Sequence, residues 1–285
     1  MRIGFTAVAL GIVVLPLGAQ PDTKPAPVLE IIREAIKEGR SAAHEKVEAD
    51  YAAAFRKVNF PAHYVGLATM SGTNEVWFIQ PTPSFAVAEE WDKAGEKEPL
   101  KTTLGMLDAR DGELRSSSRT MWAVYRPDIS YRPEKFNHAK VRYIDVGTFR
   151  VKLGRGADFA AAAKLVFGGY EKGNVDDCIL AYQVTAGAPS GSYLFFSVMN
   201  SLKSLDDAPA NLQAMRQALG QDTYSQLMKT EGDVIASIED TLLEVRPGMS
   251  YATQDMIDAD PAFWKPKPAP KPAPAAAPAE KKGAN

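Results

Sequence analysis

Arg126-Pro127-Asp128-Ile129-Ser130-Tyr131 and Arg246-Pro247-Gly248-Met249-Ser250-Tyr251 share one pattern, 120 positions apart in a chain of 285 residues. Proline removes a backbone donor, so each stretch is expected to end a strand. We expect the tyrosine to fix the chain at that exit by contacting the other half of the molecule. A role in a functional site is the alternative interpretation.

Two more matches stand in the same order on either side of this pair. Residues 36–42 resemble 151–157, and residues 76–78 (Val-Trp-Phe) resemble 193–195 (Tyr-Leu-Phe). Because the spacing between the paired segments differs by only a few residues from one match to the next, the sequence predicts an internal duplication. The two copies would occupy residues 20–135 and 136–252.

Both copies predict the element order β-α-β-β-α-β. In the second copy, a β-branched and aromatic strand over 141–152 precedes an alanine-rich helix over 157–167, which Gly168-Gly169 is expected to end. A hairpin over 178–199, helices from residue 207 and a strand over 241–245 complete it. In the first copy, residues 28–36 also have helical periodicity, and the alignment of the two copies favours a strand.

This order is the ferredoxin-like plan, a four-stranded antiparallel sheet with its helices on one face. The predicted fold class is therefore α+β, with two tandem ferredoxin-like modules packed sheet to sheet as a pseudo-dimeric α/β barrel. Residues 28–251 thus resemble a fused form of the dimeric α/β-barrel superfamily. That superfamily includes antibiotic-biosynthesis monooxygenases, muconolactone isomerases, NIPSNAP-like proteins and the haem-binding chlorite dismutases and dye peroxidases. The resemblance is topological, and no diagnostic motif accompanies it.

The two ends of the chain differ from this body. Arg2 followed by an apolar run to Leu17 and the small residues Gly18 and Ala19 predicts a signal peptide over residues 1–19. The mature protein would be exported, periplasmic or extracellular, with no transmembrane segment after cleavage. Residues 253–285 predict a disordered tail rich in Pro, Ala and Lys, acting either as a spacer or as a basic arm that contacts the cell envelope.

Composition narrows the classes of partner. With 45% hydrophobic residues the chain can bury a core. The net charge is −2, and the body over 20–264 is acidic once the basic tail is set aside, so nucleic acid is not expected as a partner. Cys178 is the single cysteine, which excludes an internal disulfide and is expected to be buried and inert.

No strong catalytic signature is present, and the candidate site residues come from weaker patterns. His44 and Glu48 share a helix face one turn apart, a spacing suited to acid–base chemistry or to two metal ligands. No further ligand follows from the spacing, so neither a metal nor a cofactor is predicted, and a solvent-facing His44 is the alternative. Arg33, a charge in an apolar strand, would face the cavity with His44, and Trp77 would either line that cavity or pack in the core.

Three functions remain open from the sequence. The favoured one is an exported protein that binds a small molecule in the cavity between two sheets. The second is an enzyme of the cofactor-independent oxygenase or isomerase kind, with a haem variant less favoured. The third is an envelope interaction protein that acts through its basic tail.

Overall fold

A computed structural model describes residues 24–265. The predicted signal peptide and the tail beyond Lys265 lie outside these residues. The strands are β1 (Val28–Ile36), β2 (Val65–Thr69), β3 (Glu75–Thr82), β4 (Arg115–Tyr125), β5 (Tyr143–Val151), β6 (Ile179–Ala186), β7 (Ser192–Met199) and β8 (Ile235–Val245). The helices are α1 (Ser41–Lys57), α2 (Phe85–Gly95), α3 (Leu100–Gly112), α4 (Gly156–Lys172), α5 (Ala208–Leu219), α6 (Gln221–Val234), α7 (Gln254–Ala259) and α8 (Pro261–Trp264).

The eight strands form one closed antiparallel barrel in the order β1-β3-β2-β8-β5-β7-β6-β4. The predicted pair of ferredoxin-like modules packed sheet to sheet is therefore wrong, although the α+β class fits in part. The difference lies at two seams, the strand pairs β2–β8 and β4–β6 that join the two halves of the chain. Leu67 on β2 pairs with Val245 on β8, and Tyr125 on β4 pairs with Tyr182 on β6. Closure gives every edge strand a partner, whereas two stacked sheets would leave four edges open.

The two halves of the chain have the same element order, and their helices lie outside the barrel. Along β1, Leu29 and Ile31 belong to the core inside the barrel, whereas Ile32 and Ile36 belong to an apolar cluster outside it. This alternation follows from the two-residue period of a strand. It decides which charged residues of β1 face the interior and which face the helices.

The repeated Arg-Pro-x-x-Ser-Tyr pattern crosses between the halves, as the sequence predicted. Tyr131 bridges to Ile179, and its hydroxyl donates to the Val175 carbonyl at 2.9 Å. In the other half, Tyr251 bridges to Tyr64, and its hydroxyl donates to the Phe60 carbonyl at 2.9 Å. The pattern therefore fastens each half of the barrel to the other.

Two local predictions were wrong. Gly168-Gly169 does not end α4, which continues to Lys172. Instead, Gly169 lies where α5 packs against α4. A Cβ at Gly169 would come within 2.8 Å of Met215, so the missing side chain permits the close approach of the helices. The chain also stays ordered past residue 253, where the tail was expected to begin, and α7 and α8 continue to Trp264. Within residues 24–265, no helix combines the length and apolarity needed to cross a membrane.

Candidate functional site

One end of the barrel holds a cavity of about 610 Å³. It lies where β1, β2, β5 and β6 begin and where β3, β7 and β8 end. Inward-facing side chains from these seven strands form its wall, among them Leu67, Ile79, Ile144, Leu180, Phe196 and Val245. Core side chains such as Val146, Leu194 and Leu243 pack inside the barrel and do not line the cavity.

The C-terminal helices cover part of this cavity. Trp264 lines it and is buried, and its indole Nε1 donates to the Ala139 carbonyl at 2.8 Å. Beside it, the Arg142 guanidinium lies 3.6 Å from the centre of the Phe263 ring and forms an ion pair with Asp260. These contacts hold residues 260–264 against the loop before β5.

Polar groups enter the cavity from the loops at the open end. His63 stacks on Tyr251 with 4.3 Å between ring centres, and its Nδ1 lies 3.2 Å from the Tyr251 carbonyl oxygen. Since a carbonyl only accepts, Nδ1 carries the proton and Nε2 is left as an acceptor. Burial lowers the pKa of His63, and its backbone hydrogen bonds only partly offset this effect, so the ring is neutral at pH 7. Lys24 and His138 also line this end of the cavity.

Arg33 and Trp77 lie inside the barrel but do not line the cavity. The Arg33 guanidinium lies 4.1 Å above the Trp77 ring and donates to Glu75 at 2.6 and 2.8 Å. The Trp77 indole Nε1 donates to the same carboxylate at 3.0 Å. Because Glu75 and Trp77 provide the partners of the Arg33 guanidinium, these three side chains form an internal part of the barrel core.

A second polar group lies on the outer face of β1, beneath α1 and α3. His44 is buried, and its Nε2 faces three carboxylates: Glu34 at 3.0 Å, Asp111 at 3.3 Å and Glu48 at 3.7 Å. The expected alternative of a solvent-facing His44 is therefore wrong. Glu34 reaches it from β1 and Asp111 from α3, two residues that the helical spacing of His44 and Glu48 does not indicate.

Arg115, at the start of β4, binds the far side of this cluster. Its guanidinium contacts Glu34, and it lies 3.1 Å from Asp111 Oδ2. Burial opposes ionisation of Glu34, but hydrogen bonds from His44 and Arg115 outweigh it and hold its pKa below the usual value. Burial and the negative charges of Glu34 and Asp111 raise the pKa of Glu48 to about 9. Burial, followed by the charge of Glu34, also raises the pKa of Asp111.

The four predicted site residues thus fall into two separate places. His44 and Glu48 meet outside the barrel, and Arg33 and Trp77 meet inside it, so the sheet separates the predicted pair Arg33 and His44. The cavity is lined by residues that the sequence did not single out. Alternating apolar residues in a strand do not reveal whether their inward face packs tightly or leaves space.

The comparisons with known proteins give a fold and no family. No protein-family model and no curated protein matches the chain. Among solved structures, an anthrone oxidase-like protein matches with a TM-score of 0.52 and 12% identity, covering 81% of this chain and 96% of that one. The chain shares its fold. A protein assigned as a monooxygenase from Lactobacillus acidophilus matches with a TM-score of 0.48 and 8% identity, covering 77% and 94%. A chlorite dismutase variant from Candidatus Nitrospira defluvii matches at 0.47 and 11%, covering 79% and 92%.

The match to the anthrone oxidase-like structure shows a shared fold alone, so the dimeric α/β-barrel superfamily that the element order indicated stays a prediction. Membership of the NIPSNAP-like group and a tandem fusion stay predictions. At such low identity the likeness concerns the path of the backbone, so any activity has to be argued from this chain's own side chains.

Proposed function

We propose that the protein binds one small, mainly apolar molecule inside the barrel. The observation that supports this is the cavity of about 610 Å³ at one end of the barrel, with its mainly apolar wall. Pockets for small organic ligands are about 300–1,000 Å³, mainly apolar, and carry a few fixed polar groups. Burying an apolar ligand against such a wall contributes roughly 25 cal/mol per Å² of contact area.

The polar groups at the open end favour a ligand with one hydrogen-bond donor. His63 is fixed by Tyr251 and presents its Nε2 lone pair, which would accept a hydroxyl or amide proton. The apolar body of the ligand would then point down the barrel toward Leu67 and Leu180. Export from the cell and contact of the basic tail with the envelope are further parts of the proposal, resting on residues outside the described range.

Replacing Leu180 by tryptophan should weaken binding strongly, because the larger side chain fills part of the cavity from β6. We expect the parent protein to bind the apolar fluorophore N-phenyl-1-naphthylamine with 1:1 stoichiometry and Leu180→Trp to bind it at least tenfold more weakly. Fluorescence titration measures both. Leu165→Trp, at an exposed position of α4, is the matched control and should bind as the parent does.

Overpacking alone can destabilise a core, so folding is checked by circular dichroism and a milder variant, Ile144→Phe, is titrated beside it. Both cavity variants should weaken binding while the control leaves it unchanged. Equal affinity in the parent, Leu180→Trp and Ile144→Phe would place the fluorophore elsewhere and overturn the proposal.

A second candidate function is a cofactor-independent oxygenase, and the geometry of His63 favours it. A neutral imidazole in the wall of an apolar cavity, with its proton on Nδ1, can take a proton through Nε2 from a bound C–H or O–H acid. The fold shared with an anthrone oxidase-like protein suggests anthrone as a probe. Its oxidation to anthraquinone consumes one O₂ and releases one water.

If this candidate holds, His63→Gln should lower the rate of anthrone-dependent O₂ consumption at least 100-fold and leave naphthylamine binding within threefold of the parent. An oxygen electrode and the fluorescence titration separate the two effects. Since burial lowers the pKa of His63, the rate should persist through pH 7 and fall only in more acidic solution. Enzymatic turnover that is unchanged in His63→Gln would exclude His63 as the base, and absence of turnover in the parent would leave binding as the function.

A further inference from the structure

We propose that Glu34, His44, Glu48 and Asp111 form a binding site for one divalent transition-metal ion, which fastens α1 and α3 to the barrel. The four residues are all buried, and each offers a ligand atom within 4.8 Å of the others. They come from β1, α1 and α3, so a single ion would connect three elements. This site is separate from the ligand cavity, because the wall of the barrel lies between them.

An unsatisfied polar atom, Asp111 Oδ1, points to a missing partner at the centre of the cluster. One imidazole N–H can serve one carboxylate, and Glu34 at 3.0 Å has the nearest oxygen. Within residues 24–265, Asp111 Oδ1 has no hydrogen-bond partner although the side chain is only 1% exposed. Glu48 Oε1 lies 3.7 Å from the same nitrogen, beyond hydrogen-bond distance. A buried oxygen left without a partner, such as Asp111 Oδ1, is costly, and a cation beside it removes that cost.

The distances from His44 Nε2 to the three carboxylate oxygens suit tetrahedral coordination. Bonds of about 2.1 Å from a metal to nitrogen or oxygen give distances of about 3.4 Å between neighbouring ligands. The distances from His44 Nε2 to the three carboxylate oxygens, 3.0, 3.3 and 3.7 Å, bracket that value. Four protein ligands and no open position are typical of a structural site rather than a catalytic one.

The charges balance for a divalent ion. Metal binding would deprotonate Glu48, and three ionised carboxylates against the single guanidinium of Arg115 leave two negative charges, with the Phe78 ring centre 6.3 Å from that of His44. Arg115 contacts the outer oxygens of Glu34 and Asp111, which turns their other oxygens toward His44. Partners of this kind, which orient metal ligands from behind, commonly accompany metal sites.

The ligand set favours a transition metal. Mg²⁺ and Ca²⁺ prefer oxygen ligands alone, whereas imidazole combined with carboxylates suits Zn²⁺, Fe²⁺ or Co²⁺. Zn²⁺ is therefore the probe for affinity, and Co²⁺ is the probe for geometry because tetrahedral Co²⁺ absorbs visible light.

The test is calorimetric titration of untagged, chelator-treated protein with Zn²⁺, together with the visible spectrum after addition of Co²⁺. We expect one equivalent of Zn²⁺ to bind and to raise the melting temperature, and a tetrahedral Co²⁺ band to appear. Asp111→Asn and Glu48→Gln should each weaken Zn²⁺ binding at least tenfold and abolish the band. Glu30→Gln, a carboxylate on the same strand and face as Glu34, is the matched control and should bind Zn²⁺ as the parent does.

Glu48→Gln keeps the test decisive should Asp111→Asn fail to fold, since the amide retains the shape of the side chain and adds no charge. A merely structural hydrogen-bond cluster would leave the melting temperature of the parent and of Glu48→Gln equally insensitive to Zn²⁺. No Zn²⁺ binding by the folded parent, or equal binding by parent and Glu48→Gln, would overturn the proposal.

Discussion

Glu48→Gln is expected to make the metal-free protein more stable above neutral pH, by about 2–4 kcal/mol at pH 8. The pKa of Glu48 is raised to about 9 in the folded protein by burial and by the charges of Glu34 and Asp111. The unfolded chain returns this carboxyl to an ordinary pKa, so between about pH 5 and 9 the folded state holds a proton that the unfolded state has lost. Stability therefore falls as pH rises through this range. Glutamine mimics the protonated form and removes the penalty.

Chemical denaturation in the presence of EDTA, from pH 5 to 9, measures this effect. The difference between Glu48→Gln and the parent should be small at pH 5 and grow steadily toward pH 9. The surrounding titratable and charged groups, which are Glu34, His44, Asp111, Arg115 and Tyr51, stay the same in both proteins. Glu45→Gln, at a half-buried position of α1 whose carboxylate pairs with Arg246, controls for the loss of a carboxylate, and its curve should run parallel to that of the parent. A stability curve of Glu48→Gln that runs parallel to the parent curve from pH 5 to 9 would refute the buried, protonated state of Glu48.

Gly187→Ala is expected to lower the free energy of unfolding by about 3 kcal/mol or more, because it disrupts the seam between β4 and β6. Gly187 has φ +82°, and a Cβ there would lie 2.0 Å from the Thr120 carbonyl oxygen and 2.8 Å from Met121 Cα. Both contacts are with backbone atoms of β4, which have no rotamer to change. The strand would have to move, and this strand closes the barrel.

Gly154→Ala separates the clash from the backbone conformation. Gly154 has φ +80°, and its Cβ would meet nothing within 4 Å, so the variant carries only the left-handed strain of about 1–2 kcal/mol. Denaturant unfolding of both variants should show Gly187→Ala clearly less stable than Gly154→Ala. Equal losses in the two variants would contradict the close packing at this seam.

Local structure could largely be predicted from the sequence, whereas closure of the barrel could not. The strand over 28–36 was predicted with the bounds it has in β1, although its periodicity also suits a helix. The seams pair β2 with β8 and β4 with β6, elements far apart in the chain whose short hydrophobic patterns carry no partner information. Edge strands had to find partners, but the sequence did not show which ones.

Half of the outer polar cluster could be predicted, because His44 and Glu48 lie on one helix face. Glu34 carried a signal that was available. It lies between Ile32 and Ile36 on the face of β1 that packs under the helices, where a carboxylate needs a partner. Asp111 lies on α3, whose sequence has no distinctive pattern, and only the packing of α3 beside α1 brings it to His44.

Native mass spectrometry of the untagged full chain, purified without added ligand and then incubated with N-phenyl-1-naphthylamine, tests the central claim most directly. The barrel cavity should hold one small molecule, either carried through purification or taken up from the fluorophore. That extra mass should disappear on denaturation and be absent from Leu180→Trp. A parent protein that stays at its bare mass before and after incubation, or a Leu180→Trp variant that carries the same extra mass, would contradict binding inside the barrel.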